Sequence, residues 1–333
     1  MKHAATNTEA LGQVLTVSRA MYRLPHLARL LGAKQVVWRP SWLGKPPVDC
    51  QHVLAWGKKP SALKAERYAQ KHGLKLLRVE DGFLRSVGLG FNSSPASLVL
   101  DDVGIYYDAH TESRLERLVL SGLSATQCYR TQHLVELWRA CGVSKYNHNL
   151  EYQQEQPVPQ VLVVDQTYGD ASLSFGCADA DSFMQMLQAA VDLYPDHQVL
   201  VKVHPDVFAG KKRGHYSELS KALRQRIHIL HQDWHAAALI KSCDAVFCVT
   251  SQMGFEALLH GKKVHTFGMP FYAGWGLTED SLPSPARRHP VSFEQLVHAA
   301  LIAYPRYIHP VTGLQAEVED CIRFFGQHRQ SMK

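Results

Sequence analysis

Short apolar runs alternate with helix-like stretches along most of the 333-residue chain. In the first half, β-branched and leucine-rich runs predict buried strands at 34–39, 52–57 and 74–81. A helix is predicted between the last two strands, because Ser61 opens that stretch and Gly73 closes it. Residues 97–109 predict two short strands around a turn, and one helical region is predicted from about Glu112 to Cys141.

A polar, proline-containing stretch at 152–160 predicts a linker, and a second alternating series follows it. Strands are predicted at 161–166, 198–205, 226–230, 245–251 and 263–268, with helices at 181–194 and 254–261. Such alternation predicts parallel sheets with helices on both faces. We therefore predict an α/β protein with two facing Rossmann-like domains, 1–155 and 156–300, and a helical segment 301–333 that crosses back to the first.

The chain carries 36 lysine and arginine residues and a formal net charge of +6, which favours an acidic partner such as a nucleotide, an anionic sugar or a lipid surface. Lys211-Lys212-Arg213 and Arg287-Arg288 are its densest basic clusters. No apolar stretch is long enough for a membrane-spanning helix, and the first residues lack the apolar core of a signal peptide. The seven cysteines have no CxxC spacing, so we expect a reduced, cytoplasmic protein. Basic residues do not alternate with aromatics as in RNA-binding motifs, which weighs against nucleic acid.

Ligands of such sheets bind beyond the carboxyl ends of the strands, and several polar residues lie there. Lys202 and His204 point to one face at the end of an apolar strand, and buried cations need an anion. Thr250-Ser251 follows another strand and precedes a helix, so either hydroxyl is a candidate cap. Ordinary capping explains Ser251 fully, whereas a nucleotide site also uses the helix N–H groups, Gly254 and Glu256.

Acidic residues follow two further strands. Asp165 comes after four apolar residues, and Glu80-Asp81-Gly82 ends the strand at 74–81. Acids at such positions are either turn residues or catalytic groups, and spacing alone leaves both open. No His, Cys, Asp or Glu cluster has metal-site spacing, and the GxGxxG, P-loop and GxSxG patterns are missing from the sequence.

Several strings together resemble the KpsC-type capsule-polysaccharide β-Kdo transferases. They are RVEDGFLRSVGLG, SLVLDDVGIYYDA, SKYN, VLVVDQTYGDAS, VKVHPDVFAGKKRGHY, TSQMGFEALLHGKKVHTFGMPFYAGWGLTED and RYIHPVTG, in order from about Tyr22 to Tyr307. The resemblance implies a GT-B glycosyltransferase with its active site in the cleft between the domains. It also implies CMP-β-Kdo as donor, retention of configuration, a Kdo-terminated lipid-linked acceptor, and work at the cytoplasmic face of a Gram-negative inner membrane.

The resemblance also implies roles for single residues. Glu80 becomes the catalytic acid/base and Asp165 the nucleophile, while Asp81 braces the loop and Arg85 holds an acidic acceptor or supports the loop. The implied donor-binding set is Lys202, His204, Thr250, Ser251, Gly254, Glu256 and Gln166. His204 and Ser251 would contact the CMP phosphate and Glu256 the ribose. A monophosphate donor offers no diphosphate to chelate, so no metal or other cofactor is expected.

Two alternatives remain open at this point. Another GT-B enzyme with a cytidine nucleotide donor, such as a polyol-phosphate transferase of the CDP-glycerol kind, would share the strand-end histidine and the serine before the helix. A non-catalytic module that binds anionic polysaccharide is the other, although acids at both strand ends would repel that ligand. The basic cluster 211–213 further predicts salt-sensitive contact with an anionic membrane surface.

Overall fold

The computed structural model describes residues 11–88, 93–148, 150–153, 158–203, 207, 213–216 and 219–331. Its strands are β1 (Leu11–Thr16), β2 (Ala33–Trp38), β3 (Cys50–Trp56), β4 (Lys75–Asp81), β5 (Ser97–Asp101), β6 (Gln160–Val164), β7 (Gln198–Lys202), β8 (Ile227–Leu230), β9 (Ala245–Cys248), β10 (Lys263–Thr266), β11 (Glu279–Asp280), β12 (Pro305–Ile308) and β13 (Gln315–Ala316). Strands β2, β3, β4, β6, β8 and β10 lie within two residues of the runs that predict them, β7 and β9 end three residues early, and the sequence analysis predicts no strand at β1, β11, β12 or β13.

The described α-helices are Arg19–Tyr22, Leu27–Leu31, Ala62–His72, Arg114–Leu120, Ala125–Cys141, Ala171–Phe175, Ala180–Leu193, Lys221–Arg226, Ala236–Ser242, Met253–Leu259, Phe293–Val297 and Val318–Gln330, with a π-helix at His298–Ala303. In the part of the chain that the structure describes, no helix combines the length and the apolar character needed to cross a membrane.

The strands form two sheets. The first has the order β13-β12-β5-β4-β3-β1-β2, in which β1 to β4 are parallel and β5 runs antiparallel to β4. The second has the order β11-β10-β9-β6-β7-β8 and is parallel throughout. The carboxyl ends of the parallel strands of both sheets border one cleft. Two α/β domains facing each other in this way form the GT-B architecture, which confirms the predicted fold class.

The final part of the chain differs from the helical segment predicted for 301–333. Strand β12 pairs antiparallel with β5 and extends the first sheet, and β13 pairs with β12 before the helix Val318–Gln330 begins. The sequence PRYI at β12 does not look like a strand, because proline removes a ladder donor and arginine is charged. It pairs nevertheless because β5 is fully buried and offers an open edge.

Two predictions in the first half are also wrong. Residues 97–109 contain only one strand, because the Asp101 carboxylate accepts hydrogen bonds from the backbone N–H groups of Val103 and Gly104 at 2.9 and 2.7 Å and turns the chain. The helical region from Glu112 is split into two helices. Gly122 lies between them with φ +74°, and Ser124 caps the second helix.

The two domains share an apolar core. The ring of Phe83, from the first domain, lies 4.5 Å from the ring of Phe271 and 6.0 Å from that of Phe255, both from the second. Arg287 and Arg288, one of the two dense basic clusters of the sequence, bind the two oxygens of the buried Glu116 at 2.8 and 2.7 Å. The pair therefore ties the domains together and is not free for a ligand.

Candidate active site

A cavity of about 400 Å³ lies between the two domains. Seven of the predicted site residues line it: Glu80, Asp165, Gln166, Lys202, Thr250, Ser251 and Glu256. Asp81, Arg85 and Gly254 do not belong to its wall, and His204 lies outside the described residues. The sequence motifs from both halves thus converge on one cleft.

Glu80 is the second-last residue of β4 and reaches the cleft from the first domain. Burial raises the pKa of its carboxyl group, the charge of Asp81 adds to this, and Lys59 and Lys145 oppose it. Gly57 makes room for the carboxylate, since a Cβ there would lie 2.7 Å from Glu80 Oε2. A half-buried carboxyl group with a raised pKa is suited to exchange protons with a substrate hydroxyl.

Asp81 and Arg85 support the loop after β4. The Asp81 carboxylate binds the Arg85 guanidinium at 2.8 Å, and Arg85 also donates to the Ser86 hydroxyl and to the Ser93 carbonyl. Arg85 is only 6% exposed. Since its guanidinium is enclosed by these contacts, this structure gives it a place in the loop and not at the cavity surface.

Asp165 follows β6 and reaches the cleft from the second domain. Its side chain is 1% exposed, and its carboxylate accepts from the Gln166 N–H at 2.8 Å. Nδ1 of His215 lies 3.1 Å from Asp165 Oδ1, and its ring stacks on Phe183 with centroids 3.6 Å apart. These contacts fix the carboxylate in one orientation at the wall of the cavity.

His215 was missed as a functional residue by the sequence analysis. It belongs to the string VKVHPDVFAGKKRGHY, but fifty positions separate it from Asp165 and no periodic pattern connects them. Gly214 is part of the same arrangement, because a Cβ at that position would lie 2.5 Å from Asp165 Oδ2.

Lys202 ends β7 and lines the cavity, with its ammonium group 3.1 Å from Asp233. Asp233 also lies 3.8 Å from Nε2 of His148. The anion that the buried Lys202 requires is therefore supplied by the protein itself, which the sequence argument did not foresee.

Gln166 and Thr250 hold the ends of two neighbouring strands together. Oε1 of Gln166 accepts from the Thr250 N–H at 2.9 Å, and its Nε2 donates to the Thr250 hydroxyl at 3.0 Å. This pair stiffens the wall of the cavity between β6 and β9.

The start of the helix Met253–Leu259 differs from the prediction. Its N-cap residue is Gln252, while the Ser251 hydroxyl accepts from the Met253 N–H at 3.3 Å. Packing requires a glycine at position 254, since a Cβ there would lie 2.3 Å from the Tyr272 hydroxyl. That hydroxyl donates to the Ser251 carbonyl at 2.6 Å. Gly254 thus shapes the site by letting Tyr272 approach.

Glu256 is 1% exposed and stands where the domains meet. Its Oε1 accepts from the Lys145 N–H and from Gln252 Nε2, both at 3.2 Å. Its Oε2 is buried and has no hydrogen-bond partner among the described residues. Burial raises its pKa to about 7, against the Ser144 hydroxyl and Lys145, which lower it. Glu256 therefore holds a buried oxygen whose capacity to accept a hydrogen bond the described residues do not use.

Lys145, in the string SKYN, and Lys59 are further cavity residues that the sequence analysis did not single out. Burial lowers the pKa of Lys145, but the negative charges of Tyr146, Asp81 and Glu80 have the larger combined effect and raise this pKa. Together with Lys202 these lysines place three cationic groups in a cavity wall that also holds the carboxyl groups of Glu80, Asp165, Asp170, Asp233 and Glu256. Within the described ranges, no group of His, Cys, Asp and Glu side chains has the arrangement of a metal site.

The family described as "Capsule polysaccharide biosynthesis protein" matches residues 51–149 and 131–307 of this chain. Capsule polysaccharide modification protein LipA of Neisseria meningitidis serogroup A is 39% identical over 322 residues, which cover 92% of this chain and 44% of LipA. Lipopolysaccharide-processing protein LpsZ of Rhizobium meliloti is 40% identical over 296 residues, which cover 85% of this chain and 66% of LpsZ. The chain therefore spans less than two thirds of the length of these curated relatives.

Two solved structures cover nearly the whole chain. The β-Kdo 2,4 transferase of Thermosulfurimonas dismutans KpsC has a TM-score of 0.86 at 38% identity and covers 95% of this chain and 98% of its own. The β-Kdo 2,7 transferase of the same protein has a TM-score of 0.68 at 27% identity, with 96% and 99% covered. Fold and cleft define a two-domain protein of the GT-B class. The chain belongs to the capsule polysaccharide biosynthesis protein family, and its resemblance to KpsC-type proteins is confirmed.

Proposed function

We propose that this chain is a retaining β-Kdo transferase that moves Kdo from CMP-β-Kdo to a Kdo-terminated glycolipid in capsule linker synthesis. One observation carries the proposal: the carboxyl groups of Glu80 and Asp165, from opposite domains, line one cavity together with Lys59, Lys145 and Lys202. An anionic sugar donor suits these lysines, and two carboxyl groups suit a double displacement. Both KpsC structures that this chain resembles are β-Kdo transferases, which supports Kdo as the transferred sugar.

Each step follows from the position of one carboxyl group. In the first step an oxygen of Asp165 attacks the anomeric carbon of Kdo, the bond to the phosphate oxygen breaks, and CMP leaves with the electron pair. In the second step the acceptor hydroxyl gives its proton to Glu80, its oxygen attacks the same carbon, and the bond to Asp165 breaks. Two inversions at one carbon restore the original configuration.

The remaining residues hold the reactants. His215 orients the Asp165 carboxylate, and Lys202 shares its charge between Asp233 and the donor. His204 and Ser251 contact the phosphate of CMP, and the free Oε2 of Glu256 accepts from the ribose. We expect no metal requirement, because the departing phosphate is a monoester without a diphosphate to chelate.

We further propose a 2→4 linkage. The 2,4 transferase of KpsC matches this chain at 38% identity and a TM-score of 0.86, whereas the 2,7 transferase reaches 27% and 0.68. Incubation with CMP-Kdo generated in situ and a Kdo-terminated acceptor, followed by NMR of the product, tests both the linkage and its β configuration. An α-linked product would contradict the double displacement.

The mechanism predicts different behaviour for two variants. Asp165→Ala should abolish transfer while CMP still binds. Glu80→Gln should complete the first step and stall at the second, so that intact-mass spectrometry shows one added Kdo, mapping to Asp165. Asp170→Asn is the matched control, since Asp170 also lines the cavity but its carboxylate accepts from the Ser172 N–H at 2.9 Å.

Full activity of Asp165→Ala would end the double-displacement mechanism. If that variant also transferred a polyol phosphate from a CDP-linked donor, the CDP-glycerol type of enzyme would replace the proposed one. CMP binding by the unaltered protein without turnover of any Kdo acceptor would favour a non-catalytic binding module.

A further inference from the structure

A second cavity, of about 130 Å³, lies where three helices from distant parts of the chain meet. These helices are Ala125–Cys141, Ala236–Ser242 and Val318–Gln330, and we call the last one the final helix. The second cavity shares no lining residue with the candidate active site. Small side chains leave the space open between the helices, namely those of Ala140, Gly142, Ala237, Ala238 and Gly326.

The charged groups in the wall of the second cavity are Arg329, Lys241 and Glu151. Two cations and one carboxylate give this wall a net charge of +1. Arg329 is 5% exposed, whereas Lys241 is exposed. The guanidinium group therefore lies at the deep end of the cavity and the ammonium group at its solvent side.

Arg329 has a hydrogen-bond donor that the protein does not use. Its Nη2 donates to the Glu151 carboxylate, but its Nη1 is buried and has no hydrogen-bond partner among the described residues. Burial lowers the pKa of Arg329, and the charge of Glu151 opposes this shift without cancelling it. The buried guanidinium is thus only partly compensated, and leaving a charged donor in this state costs free energy.

Lys241 brings further donors to the same space. Its ammonium group donates to the Arg139 carbonyl at 3.2 Å, near the end of the helix Ala125–Cys141. An ammonium group has three N–H donors, so this contact leaves two of them for a ligand. Nζ of Lys241 lies 3.6 Å from the position that a Cβ would take at Gly142, which places the charge at the cavity wall.

The second cavity also borders the connection between the domains. Glu151 directly precedes the linker predicted at 152–160, and its ion pair with Arg329 joins this connection to the final helix. One residue earlier, the Leu150 carbonyl accepts from the His235 N–H at 2.7 Å, just before the helix Ala236–Ser242. A ligand in this cavity would therefore contact elements on both sides of the connection.

We propose that the second cavity binds a small, doubly charged oxoanion such as inorganic phosphate, held between Nη1 of Arg329 and the ammonium group of Lys241. A tetrahedral oxoanion presents acceptors in several directions, as donors from two separate helices require. A cavity of about 130 Å³ is too small for a nucleotide sugar. Among the described lining residues, the Glu151 carboxylate is the group that opposes the anion, and it stays paired with Arg329.

The bound oxoanion joins the final helix to the helix Ala236–Ser242 and so stiffens the connection between the domains. The test is calorimetric titration of the full chain with sodium phosphate, with sodium chloride holding the ionic strength constant. We expect a dissociation constant of about 1 mM or below, and singly charged acetate should bind about tenfold more weakly. Phosphate at ten times its dissociation constant should raise the melting temperature by about 2 °C.

Two variants and a matched control locate the site. Lys241→Gln should weaken phosphate binding about tenfold. Arg329→Met/Glu151→Gln replaces both members of the ion pair, so that neither charge is left alone, and should abolish binding. Lys59→Gln is the control, because Lys59 is also an exposed lysine but lines the candidate active site, and it should bind phosphate like the unaltered protein.

Neither heat nor a rise in melting temperature on adding phosphate to the unaltered protein would overturn the proposal. So would equal affinity for phosphate and acetate, or unchanged phosphate affinity in Lys241→Gln with its fold verified by circular dichroism. A loss of binding in Lys59→Gln instead would place the anion in the candidate active site. No step of this test involves CMP or Kdo, so failure of the proposed function would leave its outcomes unchanged.

Discussion

Replacement of Glu256 by glutamine should stabilise the ligand-free protein at high pH and leave it nearly unchanged at low pH. Glutamine has the shape of glutamic acid, and its Oε1 can still accept from the Lys145 N–H and from Gln252. What the substitution removes is a buried charge whose Oε2 has no partner among the described residues. The variant therefore isolates the free-energy cost of ionising this one group.

The magnitude follows from the raised pKa of Glu256. Burial moves this pKa from 4.5 to about 7, and each pKa unit corresponds to about 1.4 kcal/mol. The folded state holds the proton more tightly than the unfolded chain, so stability falls as pH rises from the unfolded pKa towards the folded one and is constant above it. Between about pH 5 and about pH 8.5 the loss of stability amounts to roughly 2 to 3 kcal/mol, which the glutamine variant escapes.

The assay is thermal unfolding of both proteins at the two pH values. For a chain of this length, roughly 2 to 3 kcal/mol corresponds to about 3 to 4 °C in melting temperature, so the advantage of the variant should grow by about that much from low to high pH. Glu136→Gln is the matched control, because Glu136 is exposed and its variant should show no such growth. An advantage of Glu256→Gln that is the same at both pH values would refute the argument.

Two further predictions concern binding and positioning. His204→Ala and Glu256→Ala should each weaken CMP binding by about tenfold or more, since each removes a polar or charge-assisted contact. Calorimetry with CMP measures this loss. Unchanged affinity in both variants would place the nucleotide site elsewhere. His215→Ala should lower kcat with little change in CMP affinity, because its ring contacts the Asp165 carboxylate and, of Gln166, only the backbone carbonyl, which the substitution leaves in place. An equal fall in affinity and turnover would make the role of His215 structural.

Much of the second domain could be predicted from the sequence, because its parallel strands are continuous apolar runs. Asp165 follows such a strand directly, and Lys202 ends one, so both are found by position alone. The same principle locates Glu80 in the first domain. Each of these predictions rests on residues that are adjacent in the sequence and can therefore be recognised without the structure.

Contacts between distant segments could not be predicted in this way. His215 meets Asp165, and Asp233 meets Lys202, through loops that have no periodic pattern. The sequence analysis placed Gly254 in a nucleotide site, but the residue that requires a glycine there is Tyr272, which only the folded structure brings near. The sequence also does not show which apolar side chains are exposed. Trp42 has the composition of a core residue, but in the structure it is exposed.

The pairing of β12 with β5 has a consequence for how the protein is made. β12 follows β5 by about two hundred residues, so the first of the two domains to leave the ribosome waits for the synthesis of those residues before its sheet is complete. The second domain, whose strands are contiguous in sequence, has every strand available earlier. Until β12 arrives, the backbone N–H and C=O groups along one edge of β5 remain open to pairing with another chain. A nascent or truncated product that stops before Pro305 would therefore expose an unpaired edge of β5 that can pair with another chain. The first domain is synthesised first, but the second domain is the first to have all its strands.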